Sequence, residues 1–382
     1  MPAYYFDHNA TTPLLPEAIQ AITECLQENA GNPSSSHGIG RRARALVEEV
    51  RENFANWIGA KSHEIVFTSG GTEADQLALR GYLTAAKGVS QSRHIVTTAI
   101  EHPAIMQNMQ QLEKEGWDIT YVKPDGNGYV SVTSIESALR SDTVLVSVMA
   151  ANNEVGSIQP IAEIGVLLKS RGIVFHCDAV QALGRVDALS VKDVDLMSFS
   201  AHKINGCKGV GALYIRKGTP FSPQLLGGPQ ERGLRAGTEN VPSIAGFGAA
   251  IAWWQKNGAE ERARLALLRD ALQKELLLAI PDAIVNADLT PKLPNTLHVT
   301  FPGCRADMLV IALDLRGLCV SAGSACASGS VKASPVLLAM GKDADAATSS
   351  IRFSLGLGNS EAQIEQVVAI TQQAVKAMKE IL

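Results

Sequence analysis

The sequence predicts an α/β protein, with a large domain built on a mostly parallel central sheet and a smaller α+β domain beside it. Three observations predict this. Apolar β-branched runs alternate with helical patterns from about residue 64 to 216, the βαβα rhythm of a parallel sheet covered by helices on both faces. After about Ser243 the rhythm gives way to long helical stretches and a few short strands. The length of 382 residues also exceeds the size at which a single core stops growing. The expected division assigns 14–250 to the large domain, and 1–13 with 251–382 to the smaller one.

The elements follow in order. Glu64-Ile65-Val66-Phe67-Thr68 is rich in β-branched and aromatic residues and predicts a strand, followed by a helix over 73–87. His94-Ile95-Val96-Thr97-Thr98 predicts the next strand, leading to a helix over 103–116 that opens with Pro103. Further strands are expected over 119–122, 144–149, 173–177, 194–199 and 210–215, with helices over 134–139 and 161–170. The second part predicts helices over 245–254, 260–279 and 360–381, and strands near 296–300 and 318–321. The N-terminal extended segment is expected to join the smaller domain.

Composition sets limits on function. The chain is 46% apolar and 19% charged, with a formal net charge of -4, which argues against nucleic acid as the main ligand. No apolar run of some 18 residues predicts a membrane span. Met1-Pro2-Ala3-Tyr4-Tyr5 lacks the basic and apolar regions of a secretory signal, so a reducing cytoplasm is expected. Six cysteines, at 25, 177, 207, 304, 319 and 326, include no C-x-x-C pair, which disfavours a zinc ribbon or a disulfide framework. No metal site is expected.

Lys203 is the most informative residue. It lies in Ser200-Ala201-His202-Lys203-Ile204-Asn205-Gly206-Cys207-Lys208-Gly209, between the apolar runs 194–199 and 210–215. An amine held between two such strands loses hydration, becomes a nucleophile, and suits a Schiff base with pyridoxal phosphate. Ser200 and His202 offer phosphate donors beside it, although a surface lysine in a glycine-rich hairpin is the plainer alternative.

Other residues stand at the ends of strands, where ligands gather in such sheets. Ser69-Gly70-Gly71-Thr72-Glu73 passes from strand to helix, giving a phosphate site of exposed N–H groups or, more simply, a helix cap. Asp178 follows the strand 173–177 and can keep a pyridine nitrogen protonated, with Gln181 in reach of a ring hydroxyl. His102 can stack on an aromatic cofactor and relay protons. Asn152-Asn153-Glu154 offers amides. Arg352, in the strand-like run 350–356, suits a substrate carboxylate or a structural ion pair. Cys326 stands in Ala322-Gly323-Ser324-Ala325-Cys326-Ala327-Ser328-Gly329, a stretch of small residues that predicts a loop displaying an accessible thiol.

In combination these segments resemble the cysteine desulfurases, pyridoxal phosphate enzymes of the class V aminotransferase family and of fold-type I (aspartate-aminotransferase-like). The branch linked to nitrogen fixation and iron–sulfur-cluster assembly is the most similar. Tyr5-Phe6-Asp7-His8-Asn9-Ala10-Thr11-Thr12-Pro13, Glu101-His102-Pro103, Gln230-Glu231-Arg232-Gly233-Leu234-Arg235-Ala236-Gly237-Thr238 and Ser350-Ile351-Arg352-Phe353-Ser354 extend the match over nearly the whole chain.

The resemblance implies roles. Lys203 would carry the cofactor and shuttle protons; His102 would stack on its ring; Asp178 would meet the ring nitrogen and Gln181 the phenolic oxygen. Gly71, Thr72, Ser200 and His202 would form the phosphate site, completed by Thr238 from a second subunit of a homodimer. Asn153 and Arg352 would hold the carboxylate of L-cysteine. Cys326 would accept its sulfur as a persulfide and pass it to an acceptor protein serving iron–sulfur clusters, tRNA thiolation or DNA phosphorothioate modification. Cys207 departs from the family pattern, which commonly has proline there. A selenocysteine lyase, another pyridoxal phosphate β-lyase or transaminase, and a non-catalytic sulfur-transfer scaffold are the rival readings.

Overall fold

The computed structural model describes residues 4–28, 31–86, 93–289, 291–322 and 333–380. Seven strands form its central sheet, in the spatial order Ile65–Thr68, Gly211–Ile215, Leu196–Ser200, Val174–Asp178, Thr143–Ser147, His94–Thr98 and Asp118–Val122. The last five pair in parallel. Gly211–Ile215 runs antiparallel to both its neighbours, which leaves Ile65–Thr68 pointing the same way as the five. The mostly parallel sheet predicted from the βαβα rhythm is therefore present.

Strand side chains alternate between two cores. Val66, Ile95, Leu145, Leu196 and Leu213 pack on one face with Leu79 and Leu83 of the helix Gly71–Ala86. Ile65, Phe67, Val96, Val146, Met197 and Ala212 pack on the other with Phe54 and Phe247. Because successive side chains point to opposite faces, a strand buried on both sides must be apolar at nearly every position. That is why the runs read so clearly in the sequence.

The second part is built on an antiparallel sheet in the order Ser321–Ala322, Ser350–Ser354, Thr296–Thr300 and Ile284–Val285. Tyr4–Tyr5 pairs in parallel with Leu318–Cys319, and Phe6 is buried among Leu272, Phe301, Phe353 and Val367. The N-terminal segment thus joins this part of the molecule, as expected.

Three local differences have physical causes. Helical patterns over 245–254 and 260–279 belong to one unbroken helix, Val241–Ala279. Asn257-Gly258 does not interrupt it, because packing on both sides outweighs the roughly 1 kcal/mol propensity cost of a helical glycine. Its first half buries Phe247, Ile251 and Trp254 in the large core, and its second half buries Leu265, Leu272 and Leu276 in the smaller one. The run 318–321 divides between two sheets, Leu318–Cys319 and Ser321–Ala322. Helices Pro16–Glu28 and Gly38–Ile58 were not anticipated. The second was legible from Ala43, Val47, Val50, Phe54 and Ile58, all buried at three- or four-residue spacing, with Gly59 at φ 74° as its stop.

Candidate active site

The carboxyl ends of the parallel strands open onto a cavity of about 360 Å³. Gly71, Thr72, His102, Asn153, Asp178, Gln181, Ser200, His202, Lys203 and Arg352 all line it. Residues from five strand ends, and one from the antiparallel sheet, therefore meet around one space. Thr238 does not reach it; exposed, it lines a neighbouring depression with Ser69, Gly209 and Arg235. Cys326 lies outside the described residues, five positions beyond Ser321, which lines the cavity.

Lys203 ends a short 3-10 turn, Ala201–Lys203, that follows the strand Leu196–Ser200. Its Nζ donates to the carbonyls of Asn9 at 2.6 Å and Ala10 at 2.8 Å. Burial, with Arg185 and Arg352 nearby, pulls its pKa down to about 7, against the opposing pull of Asp7 and Asp178. Much of the amine is therefore uncharged near neutrality and able to attack a carbonyl.

Asp178 closes the strand Val174–Asp178, and its Oδ1 accepts the Val180 N–H at 2.9 Å. Burial raises its pKa, while His102, that hydrogen bond and Lys203 oppose the rise. His102 caps the helix Pro103–Lys114 through Nδ1, which accepts the Ala104 N–H at 3.1 Å. It thus caps a helix and also forms a wall of the cavity. Burial lowers its pKa, opposed by Asp178, so the ring is neutral and offers a flat, uncharged face.

A second hollow of about 360 Å³ shares Gly71, Thr72, Ser200 and His202 with the cavity and is lined also by Lys208 and Gly209. It sits at the N-terminus of the helix Gly71–Ala86, where backbone N–H groups and the helix dipole favour an anion. Ser200 Oγ is buried there with no hydrogen-bond partner. His202 bonds Thr11 Oγ1 through Nδ1 at 3.1 Å, and burial, Lys203 and Lys208 draw its pKa down to about 4.

Arg352, on the strand Ser350–Ser354, makes the structural ion pair and also lines the cavity. Its Nη2 pairs with Asp7 at 2.7 Å and its Nη1 donates to the Asn153 carbonyl at 2.8 Å. Its Nε is buried without a partner.

Sequence reasoning missed Asn9, Ala10 and Arg185 as parts of this site. Asn9 lay within a noticed block, but nothing marked its carbonyl as the acceptor for Lys203. Asp75 lines the cavity with a buried, unpartnered Oδ1, and burial with Asp178 pushes its pKa well up. Arg185 carried no local signal at all.

The family model for class-V aminotransferases matches residues 4–367. A cysteine desulfurase of Trichormus azollae is 43% identical over 380 residues, covering 99% of this chain and 94% of that protein. The cysteine desulfurase IscS of Clostridium botulinum is 44% identical over 381 residues, covering 99% and 95%. Among solved structures, a NifS-like protein superposes with a TM-score of 0.90 at 37% identity, over 98% of this chain and 99% of the other. The chain belongs to the class-V aminotransferase family, and within it to the cysteine desulfurase branch.

Proposed function

We propose that this protein is a pyridoxal-phosphate-dependent cysteine desulfurase, converting L-cysteine to L-alanine and holding the sulfur as a persulfide on Cys326 for an acceptor protein. The observation that carries this reading is the buried Lys203 amine, with its pKa near 7, in a cavity that has Asp178 and an anion hollow around it.

The residues present suit the cofactor. The orphaned Ser200 Oγ seeks a partner in the hollow at the helix N-terminus. A Cβ at Gly71 would stand 2.7 Å from Val180 Cγ2, so a glycine keeps the approach to that hollow open. Asp178 supplies a buried carboxylate for a protonated ring nitrogen. Pyridoxal phosphate, when bound, supplies an electron-withdrawing ring that acidifies the substrate's α-hydrogen and weakens its Cβ–S bond.

Gly71, Thr72, Ser200 and His202 would hold the phosphate, and His102 would lie against the ring. Gln181 would meet the phenolic oxygen; its Nε2 donates to the Asn9 carbonyl at 3.0 Å. Arg352 and Asn153 take the substrate carboxylate, Arg352 with its free Nε. Lys203 Nζ, uncharged near neutrality, removes the α-proton and carries it. The Cys326 thiolate attacks the substrate sulfur. One S–S bond forms, the Cβ–S bond breaks, and the carbon keeps the electron pair and takes up a proton to become the methyl group of alanine.

The working unit in this reading is a cytoplasmic homodimer. The partner's Thr238 would complete the phosphate site; within one subunit Ser69 and Gly209 line both the anion hollow and the depression that holds Thr238. On this reading the cofactor-binding domain is centred on 14–250 and the smaller domain on 1–13 with 251–382, although the helix Val241–Ala279 crosses that division and Ile251, Trp254, Val336 and Leu337 pack in the large core. Among the described residues no helix is long and apolar enough to cross a membrane.

The test is sulfide and alanine release from L-cysteine with added reductant, in wild type and Cys326→Ala. Wild type is expected to make both products and the variant neither, with its cofactor colour retained. Sulfide release by the variant at the wild-type rate would make the protein a β-lyase instead.

A further inference from the structure

Arg185 is 5% exposed, and each hydrogen bond of its guanidinium ends on a neutral group. Nη1 donates to Asn9 Oδ1 at 2.9 Å and to Gln181 Oε1, and Nη2 donates to the carbonyls of His8 and Lys203, both at 3.1 Å. Among the described residues no carboxylate pairs with it. A buried cation without a counter-ion is costly, and proteins rarely keep one without a use for its field.

Its partners are those of the reactive amine. Asn9 accepts from Arg185 through its side chain and from Lys203 Nζ through its carbonyl. Gln181 bridges the same two centres, accepting from Arg185 and donating to the Asn9 carbonyl. The charges near Lys203 come from several elements. Arg352 approaches from the antiparallel sheet, but Asp7 of the N-terminal segment pairs with it. Asp178, at its strand end, is itself raised by burial. His102 and His202 are both drawn towards the neutral form. Arg185 is the cation left unmatched. Burial and Arg352 lower its own pKa to about 9, so it remains charged at pH 7.

We propose that Arg185 is a positioning residue for Lys203: its unmatched charge favours the uncharged, nucleophilic amine, and its fork ties His8 and Asn9 to the lysine backbone. This deepens the desulfurase reading and rests on it for its purpose. It concerns an amine whose titration can be measured without the reaction.

The experiment is pH-dependent acetylation of the full chain, freed of bound aldehyde by hydroxylamine and dialysis. Modification of Lys203 and of exposed lysines such as Lys274 is read by peptide mass spectrometry. Wild-type Lys203 should show a midpoint more than a unit below the exposed lysines. Arg185→Met should raise that midpoint by about one unit, giving about tenfold less labelling at pH 7. Arg185→Lys, which keeps the charge and loses the fork, should stay close to wild type. An unchanged midpoint in folded Arg185→Met overturns the proposal. So does a wild-type Lys203 that titrates with the exposed lysines. If Arg185→Met does not fold, Arg185→Lys decides: a midpoint that rises to meet the exposed lysines contradicts the proposal, and one near wild type supports it. A low midpoint in a protein that releases no sulfide would defeat the desulfurase reading and leave this one standing.

Discussion

Arg51 and Arg185 are both buried arginines, and their surroundings differ in kind. Arg51 meets Glu231 through two nitrogens, at 2.6 and 2.8 Å, and Glu48 through Nε at 3.1 Å, and it lies 4.7 Å over the Phe67 ring. Glu231 also accepts the Phe67 N–H at 2.9 Å. That network ties the helix Gly38–Ile58 to the edge strand and holds Glu231 and Arg232 in left-handed backbone, at φ 46° and 59°. Arg185 has amides and carbonyls only. A charge kept for structure is matched and bidentate; a charge beside the reactive amine is left unmatched so that its field acts on that amine. The same contrast holds for carboxylates. Glu231 is paired, whereas Glu101, near the cavity, is pushed up to about 8, chiefly by burial.

The largest expected effect separates the two regions outright. Lys203→Ala should lower alanine formation by about 10³-fold or more without lowering the thermal midpoint. Glu231→Ala should do the reverse, costing about 3–5 kcal/mol by stranding Arg51, with kcat of the folded protein unchanged; denaturant titration and steady-state kinetics measure the two. Gly356→Ala tests the clamp on the N-terminal segment. Its Cβ would fall 2.1 Å from His8 Nδ1, forcing His8 away from Arg185 at about 1–3 kcal/mol. An unchanged unfolding midpoint would show that this segment is not held as described.

The smallest effect is one of pH. Between about 7 and 10.5 the unfolded chain holds a proton on Lys203 that the folded chain lacks. Stability conferred at this site therefore rises with pH through that window, and the penalty is fully present below pH 7. With both proteins freed of bound aldehyde, Lys203→Ala should gain most in melting temperature, relative to wild type, at pH 6–7, and the difference should shrink towards pH 10. A pH-independent difference would mean that Lys203 titrates as a solvated lysine.

Much of this was legible in the sequence, for definite reasons. Double-faced burial makes the strands read as apolar runs, and the strand ends then locate His102, Asp178 and Lys203. The apolar run 350–356 marked Arg352 and the small-residue stretch marked Cys326, and the resemblance implied their roles. Arg185 stayed hidden because its significance lies in partners far away in sequence, His8 and Asn9. A single arginine in Leu183-Gly184-Arg185-Val186 looks like any surface cation. Only the fold reveals that its counter-ion is missing.

Borohydride reduction of the purified full chain, followed by peptide mass mapping, tests the central claim most directly. The account predicts a phosphopyridoxyl adduct on the peptide containing Lys203 and on no other lysine. An adduct elsewhere, or a coloured protein whose Lys203 peptide stays unmodified, would contradict it.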